Sequence, residues 1–244
     1  MKPKNKKKKK NKFNWLINLM LLLLLLVGVA LIFNNQIKYF LMGWNTDKYS
    51  ISKYSPDDLA ANNQLKTTFD FGGVEAVSTE EVLRNQLKNQ VLPVIGAVAI
   101  PELEVNLPIF KGLSNIVLLY GAGTMKEEQK MGEGNYALAS HRVNDPRLLF
   151  SPLQRAEVGM QINITDLKKV YVYKATEVER VTPDHVELID DVPGKKMISL
   201  VTCNDPGAIK RVVVRGVLED EYEVNEAPKK VLESFKLKLN QGDW

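Results

Sequence analysis

From Trp15 to Phe33 the chain is an apolar run, with Leu21 to Leu26 unbroken and only Asn18 interrupting it. Wound as a helix at 1.5 Å per residue it is about 28 Å long, close to the hydrocarbon thickness of a bilayer. It has no polar face to turn to water and so is not the core helix of a soluble fold. Ahead of it Lys2, Lys4, Lys6 through Lys10 and Lys12 place eight positive charges and no acid in the first twelve residues. Lysines on that flank hold the amino terminus in the cytoplasm, which predicts a single-pass type II anchor with everything after Phe33 outside the cell. A cleaved signal peptide shares the basic start and apolar core, and Gly28-Val29-Ala30 is weakly cleavage-like. The run continues through Leu31, Ile32 and Phe33, which favours a retained anchor.

The lysine cluster also accounts for the net charge of +4, because removing its eight charges leaves the remaining chain at −4. No distributed Lys/Arg surface with interleaved aromatics accompanies the basic pI, so nucleic acid is not an expected partner. The 244 residues suffice for one domain of about 150 to 170 residues with its own core, besides the anchor. An exported chain usually pairs its cysteines, yet Cys203 is the only one present. A lone exported thiol is either inert and buried or chemically employed.

Residues 34–78 are polar and mixed and read as a juxtamembrane stalk. Within them Ser50-Ile51-Ser52-Lys53 matches S-x-x-K, but its partner motifs S-D-N and K-T-G are absent. Thr79 to Gln90 reads as a short helix, capped by Ser78 or Thr79, with Val82, Leu83 and Leu87 on one face and Pro93 beyond its end. Eight β-rich runs bounded by Pro and Gly follow: Val94 to Ile100, Val105 to Lys111, Ile116 to Tyr120, Tyr136 to Ser140, Met160 to Thr165, Val170 to Val181, Met197 to Cys203 and Arg211 to Leu218. Runs at this spacing point to a β-barrel or sandwich. Helical pieces are expected near Thr124 to Met131 and Pro146 to Leu153. The whole divides into a polybasic tail (1–12), an anchor (13–33), the stalk (34–78), a catalytic domain (79–220) and a carboxy-terminal tail (221–244).

Cys203 closes the run Ile198-Ser199-Leu200-Val201-Thr202-Cys203 and is followed by the turn formers Asn204-Asp205-Pro206-Gly207. The thiol therefore sits where a buried strand surfaces, a place from which a rigid scaffold presents a nucleophile. Tyr136 to Ser140 likewise ends on His141 ahead of a polar loop, which makes His141 the candidate acid/base group. His185, the other histidine, follows Pro183-Asp184 in a loop and reads as solvent-exposed. Arg211 opens the run after Cys203, and antiparallel neighbours would bring the two together. An arginine there can donate to an oxyanion and favour a thiolate. Spacing alone admits Lys210 or Arg215 in its place, because alternation sets Arg211, Val213 and Arg215 on one face and Lys210, Val212 and Val214 on the other.

The motif SLVTCN with Arg211 eight positions after Cys203, LASH ending at His141, and PVIGAVAIPELEVNLPIFKG together resemble the class A, housekeeping sortases of Gram-positive bacteria. YGAGTMKEEQKMGEGNY and LLFSPL fit the same resemblance, which spans about Leu92 to Leu218. Ser199 stands where the signature usually has Thr and keeps its small hydroxyl. The resemblance implies an eight-stranded sortase β-barrel with short helices, preceded by one transmembrane helix. It implies cleavage of an LPXTG-type sorting signal between Thr and Gly by Cys203, His141 and Arg211, and transfer of the thioacyl group to the amine of lipid II. It implies a sorting-signal groove lined by Ala139, Ser140, Val181, Pro183, Val201 and Thr202. No cofactor is expected. Calcium, bound in some class A members near positions matching Glu102 and Glu104, is not favoured here, since hard-cation sites need several convergent oxygens.

Two other classes share parts of this pattern. A hydrolytic cysteine peptidase would use the same acyl-enzyme chemistry with water as acceptor, and a membrane-anchored binding module would keep Cys203 as a structural residue. One Cys and two His without H-E-x-x-H or C-x-x-C spacing do not make a catalytic zinc site. The cysteine neighbourhood is not that of an L,D-transpeptidase. The sequon Asn163-Ile164-Thr165 matters only in a eukaryotic secretory pathway.

Overall fold

A computed structural model describes residues 12–34, 36–37, 49–69, 91–203 and 209–236. The expected helix at Thr79 to Gln90 and the turn Asn204 to Gly207 lie outside the described residues. Contacts divide the chain into two units, residues 1–38 and 39–244. The first contains α1 (Lys12–Ile32), whose stretch Asn14–Ile32 is long and apolar enough to cross a membrane.

The second unit is built on a closed barrel of eight strands: β1 (Val94–Ile100), β2 (Val105–Phe110), β3 (Ala122–Thr124), β4 (Asn135–Ala139), β5 (Gln161–Thr165), β6 (Lys169–Val181), β7 (Met197–Cys203) and β8 (Arg211–Glu223). Their order around the barrel is β1-β2-β3-β4-β7-β8-β6-β5. Closure leaves no strand edge unpaired, which satisfies the backbone of an otherwise apolar sheet. The β2/β3 and β4/β7 pairs are parallel and the other six are antiparallel. Alternation sends Leu138, Leu200, Val212 and Val214 into the core. Register shifts at Val172/Tyr173 and Ala175/Glu177 bend the long β6–β8 ribbon around it.

Seven of the eight expected runs are strands, and β1 and β7 have the expected bounds. Ile116 to Tyr120 is instead part of helix α3 (Asn115–Tyr120), whose last four residues are buried. An apolar run this short carries no period that separates helix from strand. The third strand is Ala122–Thr124, where Gly123 packs so tightly that a Cβ would meet the Gly112 carbonyl oxygen at 2.5 Å. Met125 to Met131 forms turns rather than a helix, and of the Pro146 to Leu153 piece only the end joins the 3-10 turn Ser151–Arg155.

Residues 49–62 are not a free stalk. Helix α2 (Pro56–Asn62) begins with a capping box in which Ser55 Oγ accepts from Asp58 N (3.2 Å) and Asp58 Oδ2 from Ser55 N (2.8 Å). It buries Leu59, and Asn62 Nδ2 donates to the Val94 carbonyl oxygen of β1 (2.8 Å). Tyr49 meets Phe110 edge-on with ring centres 5.3 Å apart. Scattered apolar residues thus do here what the polar average of the segment conceals. Nor is 221–244 wholly a tail. β8 runs to Glu223, and α4 (Lys229–Ser234) packs Val231 on Val170 and Val172. Asn163 Nδ2 donates to Ser234 Oγ (3.0 Å), so the sequon asparagine is fully buried in this docking.

Candidate active site

Register brings Cys203, His141 and Arg211 to one end of neighbouring strands. In the parallel pair β4/β7 Ala139 lies beside Val201, so two further residues along each chain bring His141 and Cys203 to the same level. The pairing is carried past the strand end by Ser140 N donating to Val201 O (3.2 Å) and Thr202 Oγ1 donating to Ser140 O (2.9 Å). On the other side of β7, Cys203 lies directly opposite Arg211 in the antiparallel β7/β8 pair. Opposed residues present their side chains on one face, which selects between the two faces the sequence left open. Lys210 is exposed and precedes the strand. Arg215, four rungs away opposite Ser199, is ion-paired to Glu177 and lies 3.7 Å from Glu179. Arg211 is the cation of the Cys203 rung.

Cys203 is half-buried, and its carbonyl oxygen accepts from Gln154 Nε2 (3.1 Å). His141 is 5% exposed, and its Nε2 has no hydrogen-bond partner among the described residues. Burial without a counter-charge disfavours the imidazolium and lowers the His141 pKa to about 4, so the ring is neutral at pH 7. His185 lies on the surface with Nδ1 2.8 Å from Glu187 Oε1, a contact that raises its pKa.

Alternation divides the residues expected to line the groove. Ala139 and Val201 are half-buried on the Cys203 face, Val181 is paired with Arg211, and Pro183 is exposed in the β6/β7 connection. Ser140 and Thr202 are buried, and their hydroxyls serve as ties to the carbonyl oxygens of Gly121 (2.6 Å) and Ser140 (2.9 Å). Their hydroxyls fasten the ends of β4 and β7.

The β6/β7 connection is anchored by Asn135, a residue that sequence reasoning did not single out. Its Nδ2 donates to the carbonyl oxygens of Leu188 and Asp190 (3.1 Å each), and its Oδ1 accepts from Ser199 Oγ (2.9 Å). Its N donates to Asp191 Oδ1 (2.7 Å), whose carboxyl is held below the usual range by Lys126 and this amide. A buried asparagine at a strand start, facing a long connection, is the one signal that could have found it. Asn135→Ala leaves several buried polar groups unpaired and is expected to cost about 2 kcal/mol of stability. It should also raise the KM for a peptide substrate by loosening the connection, as steady-state kinetics and thermal melting would measure.

Among the described residues no three His, Cys, Asp or Glu side chains converge as metal ligands would. Glu102 Oε1 accepts from Gln161 N (3.2 Å), and Glu104 closes the β1–β2 turn with φ of 55°.

A strand-end thiol with a neutral imidazole at its level and a guanidinium across the rung is equipped for acyl transfer through a thioester. A family model described as the Sortase domain matches residues 98–219. The chain is 49% identical over 220 residues to Sortase A of Streptococcus agalactiae, covering 88% of this chain and 89% of that protein. It is 36% identical over 194 residues to Sortase A of Listeria monocytogenes, covering 79% of this chain and 87% of that protein. The solved structure of the Listeria enzyme matches with a TM-score of 0.55 at 37% identity, covering 59% of this chain and 99% of that one. The chain belongs to the sortase family, and it is a sortase transpeptidase.

Proposed function

We propose that the chain is a type II membrane-tethered transpeptidase, with its barrel outside the cell, that cleaves an LPXTG-type signal between Thr and Gly and joins the surface protein to lipid II. The observation that carries this reading is the shared level of Cys203, His141 and Arg211 at one end of the barrel, in a chain so similar to Sortase A. Cys203 Sγ gives its proton to His141 and attacks the Thr carbonyl carbon. Arg211 donates to the oxyanion of the tetrahedral intermediate. As the C–N bond breaks, His141 returns the proton to the departing glycine amine, leaving a thioester on Cys203. The acceptor amine of lipid II then attacks that carbonyl. His141 takes the amine proton and hands it to the leaving sulfur, so the enzyme is restored. These steps require no cofactor. Residues 13–33 serve as the anchor, the lysine-rich residues 1–12 stay in the cytoplasm, and the outer face of β4, β7 and β8 receives the sorting signal.

Incubating the full chain in detergent micelles with an LPXTG peptide and triglycine tests this reading. The expected product is the peptide cut after Thr and joined to triglycine. Hydrolysed peptide alone would favour the peptidase reading, and an uncut peptide would overturn both.

A further inference from the structure

We propose that the 3-10 turn Ser151–Arg155 is a bracket that holds the His141 and Cys203 ends at their common level, with Gln154 and Ser151 as positioning residues. The inference rests on the catalytic reading of Cys203 and His141 above.

The β4/β7 ladder stops short of both residues. Its last paired rung is Ala139 with Val201, and the two ties that follow reach only Ser140. What keeps His141 and Cys203 together beyond that point must come from outside the two strands. The turn supplies it from both sides. The Phe150 N–H donates to the His141 carbonyl oxygen (3.2 Å). Ser151 Oγ accepts from Val143 N (2.9 Å) and donates to Val143 O (3.2 Å), closing the loop after His141 a second time. Three residues on, Gln154 Nε2 donates to the carbonyl oxygen of Cys203 itself (3.1 Å). The Gln154 main-chain oxygen in turn accepts from the Arg180 guanidinium (3.1 Å), one residue before Val181 and its partner Arg211. One short segment thus bonds to the His141 loop, to Cys203 and to the β6 end beside Arg211.

The bracket is itself packed against the core. Leu149, Phe150 and Leu153 are each 0% exposed and nail the turn into the barrel core. Acyl transfer depends on placing reacting groups to a fraction of an ångström, and a displacement of about 1 Å costs up to about 100-fold in rate. A carboxamide that fixes the nucleophile's own carbonyl acts on that placement without touching substrate.

The test uses the full chain in detergent micelles with an LPXTG peptide and triglycine. Gln154→Ala is expected to lower kcat about 10-fold while KM stays within about 2-fold, because substrate contacts are untouched and alignment is lost. Gln154→Glu keeps the shape but loses the donor at neutral pH, and it should be equally impaired. As pH falls toward the ordinary Glu pKa of about 4.3, its carboxyl regains an O–H donor. Its kcat relative to the parent should then rise, while that of Gln154→Ala stays flat. Ser151→Thr, which keeps the hydroxyl, should retain the kcat that Ser151→Ala loses. A merely structural role would lower melting temperature and leave kcat per folded enzyme unchanged, and that result would overturn the bracket. Should Gln154→Ala not fold, the isosteric Glu variant decides. Cys203→Ala separates the two readings. If it is inactive while both Gln154 variants match the parent, only the bracket falls; if it remains active, the catalytic reading falls first.

Discussion

On the proposed mechanism, Cys203→Ala is expected to lower turnover of an LPXTG peptide by about 10,000-fold or more, since it would remove the covalent nucleophile and with it the acyl-enzyme path rather than slow one of its steps. The fold should survive the change. Cys203 is half-buried at a strand end, its carbonyl bond to Gln154 uses main-chain atoms, and the core of β7 lies at Ile198 and Leu200. Peptide affinity should be nearly unchanged, so the variant separates binding from chemistry. Cys203→Ser should also be inactive, because a hydroxyl holds its proton far more tightly than a thiol and a buried neutral His141 is a weak base for it. Residual turnover above about 1% in folded Cys203→Ala would show that another group performs the attack.

Cys203 and His141 were legible because each ends a strand-like run, Ile198 to Cys203 and Tyr136 to His141, ahead of a polar loop. β1 and β7 are buried nearly throughout, and such strands write their bounds into the sequence as short runs with few polar residues. The choice between Arg211, Lys210 and Arg215 was not legible. It depends on which rung of β8 faces Cys203, and register is a property of two strands rather than one. The same limit hid Gln154 and Ser151, whose bonds to Cys203 and Val143 join separate parts of the chain and leave no periodic trace.

Local composition misled in three further places. Ile116 to Tyr120 is apolar and β-branched at its start, as a strand would be, yet its burial is satisfied by a turn and a half of helix under the barrel wall. The charged stretch after Thr124 reads as helical, but Gln129 uses both amide atoms on the backbone of Ala137 and holds the segment in turns against β4. Residues 49–62 average as polar, and Tyr49, Ile51 and Leu59 nevertheless join the core. In each case tertiary contact overrode a weak local preference.

The burial that leaves His141 neutral should make the fold sensitive to mild acid. Its pKa in the folded chain is about 4 against an ordinary value of 6.5, so between those values the unfolded chain binds a proton that the folded chain refuses. Stability therefore rises with pH across that window, is complete above about 6.5, and is lost as pH falls toward 4. The whole effect amounts to about 3 kcal/mol, of which about 2 kcal/mol is gone by pH 5. For a domain of this size that lowers Tm by about 4 to 8 °C between pH 7 and pH 5. The depressed carboxyls of Asp145 and Asp191 lose their contribution mainly below this range. His185, raised by its bond to Glu187, acts in the opposite sense, adding stability that is present in acid and lost as pH rises. His141→Gln, which keeps a polar side chain of similar size and cannot titrate, should flatten the profile as it abolishes turnover. Parallel melting curves for the parent and His141→Gln from pH 7 to 5 would show that His141 is already solvated or paired in the folded chain. The imidazolium formed during attack would then need no help from the thiolate and oxyanion beside it. A steep parental curve beside a flat variant locates that cost on His141, and in the proposed mechanism the charge is then offset by the Cys203 sulfur that has just lost its proton.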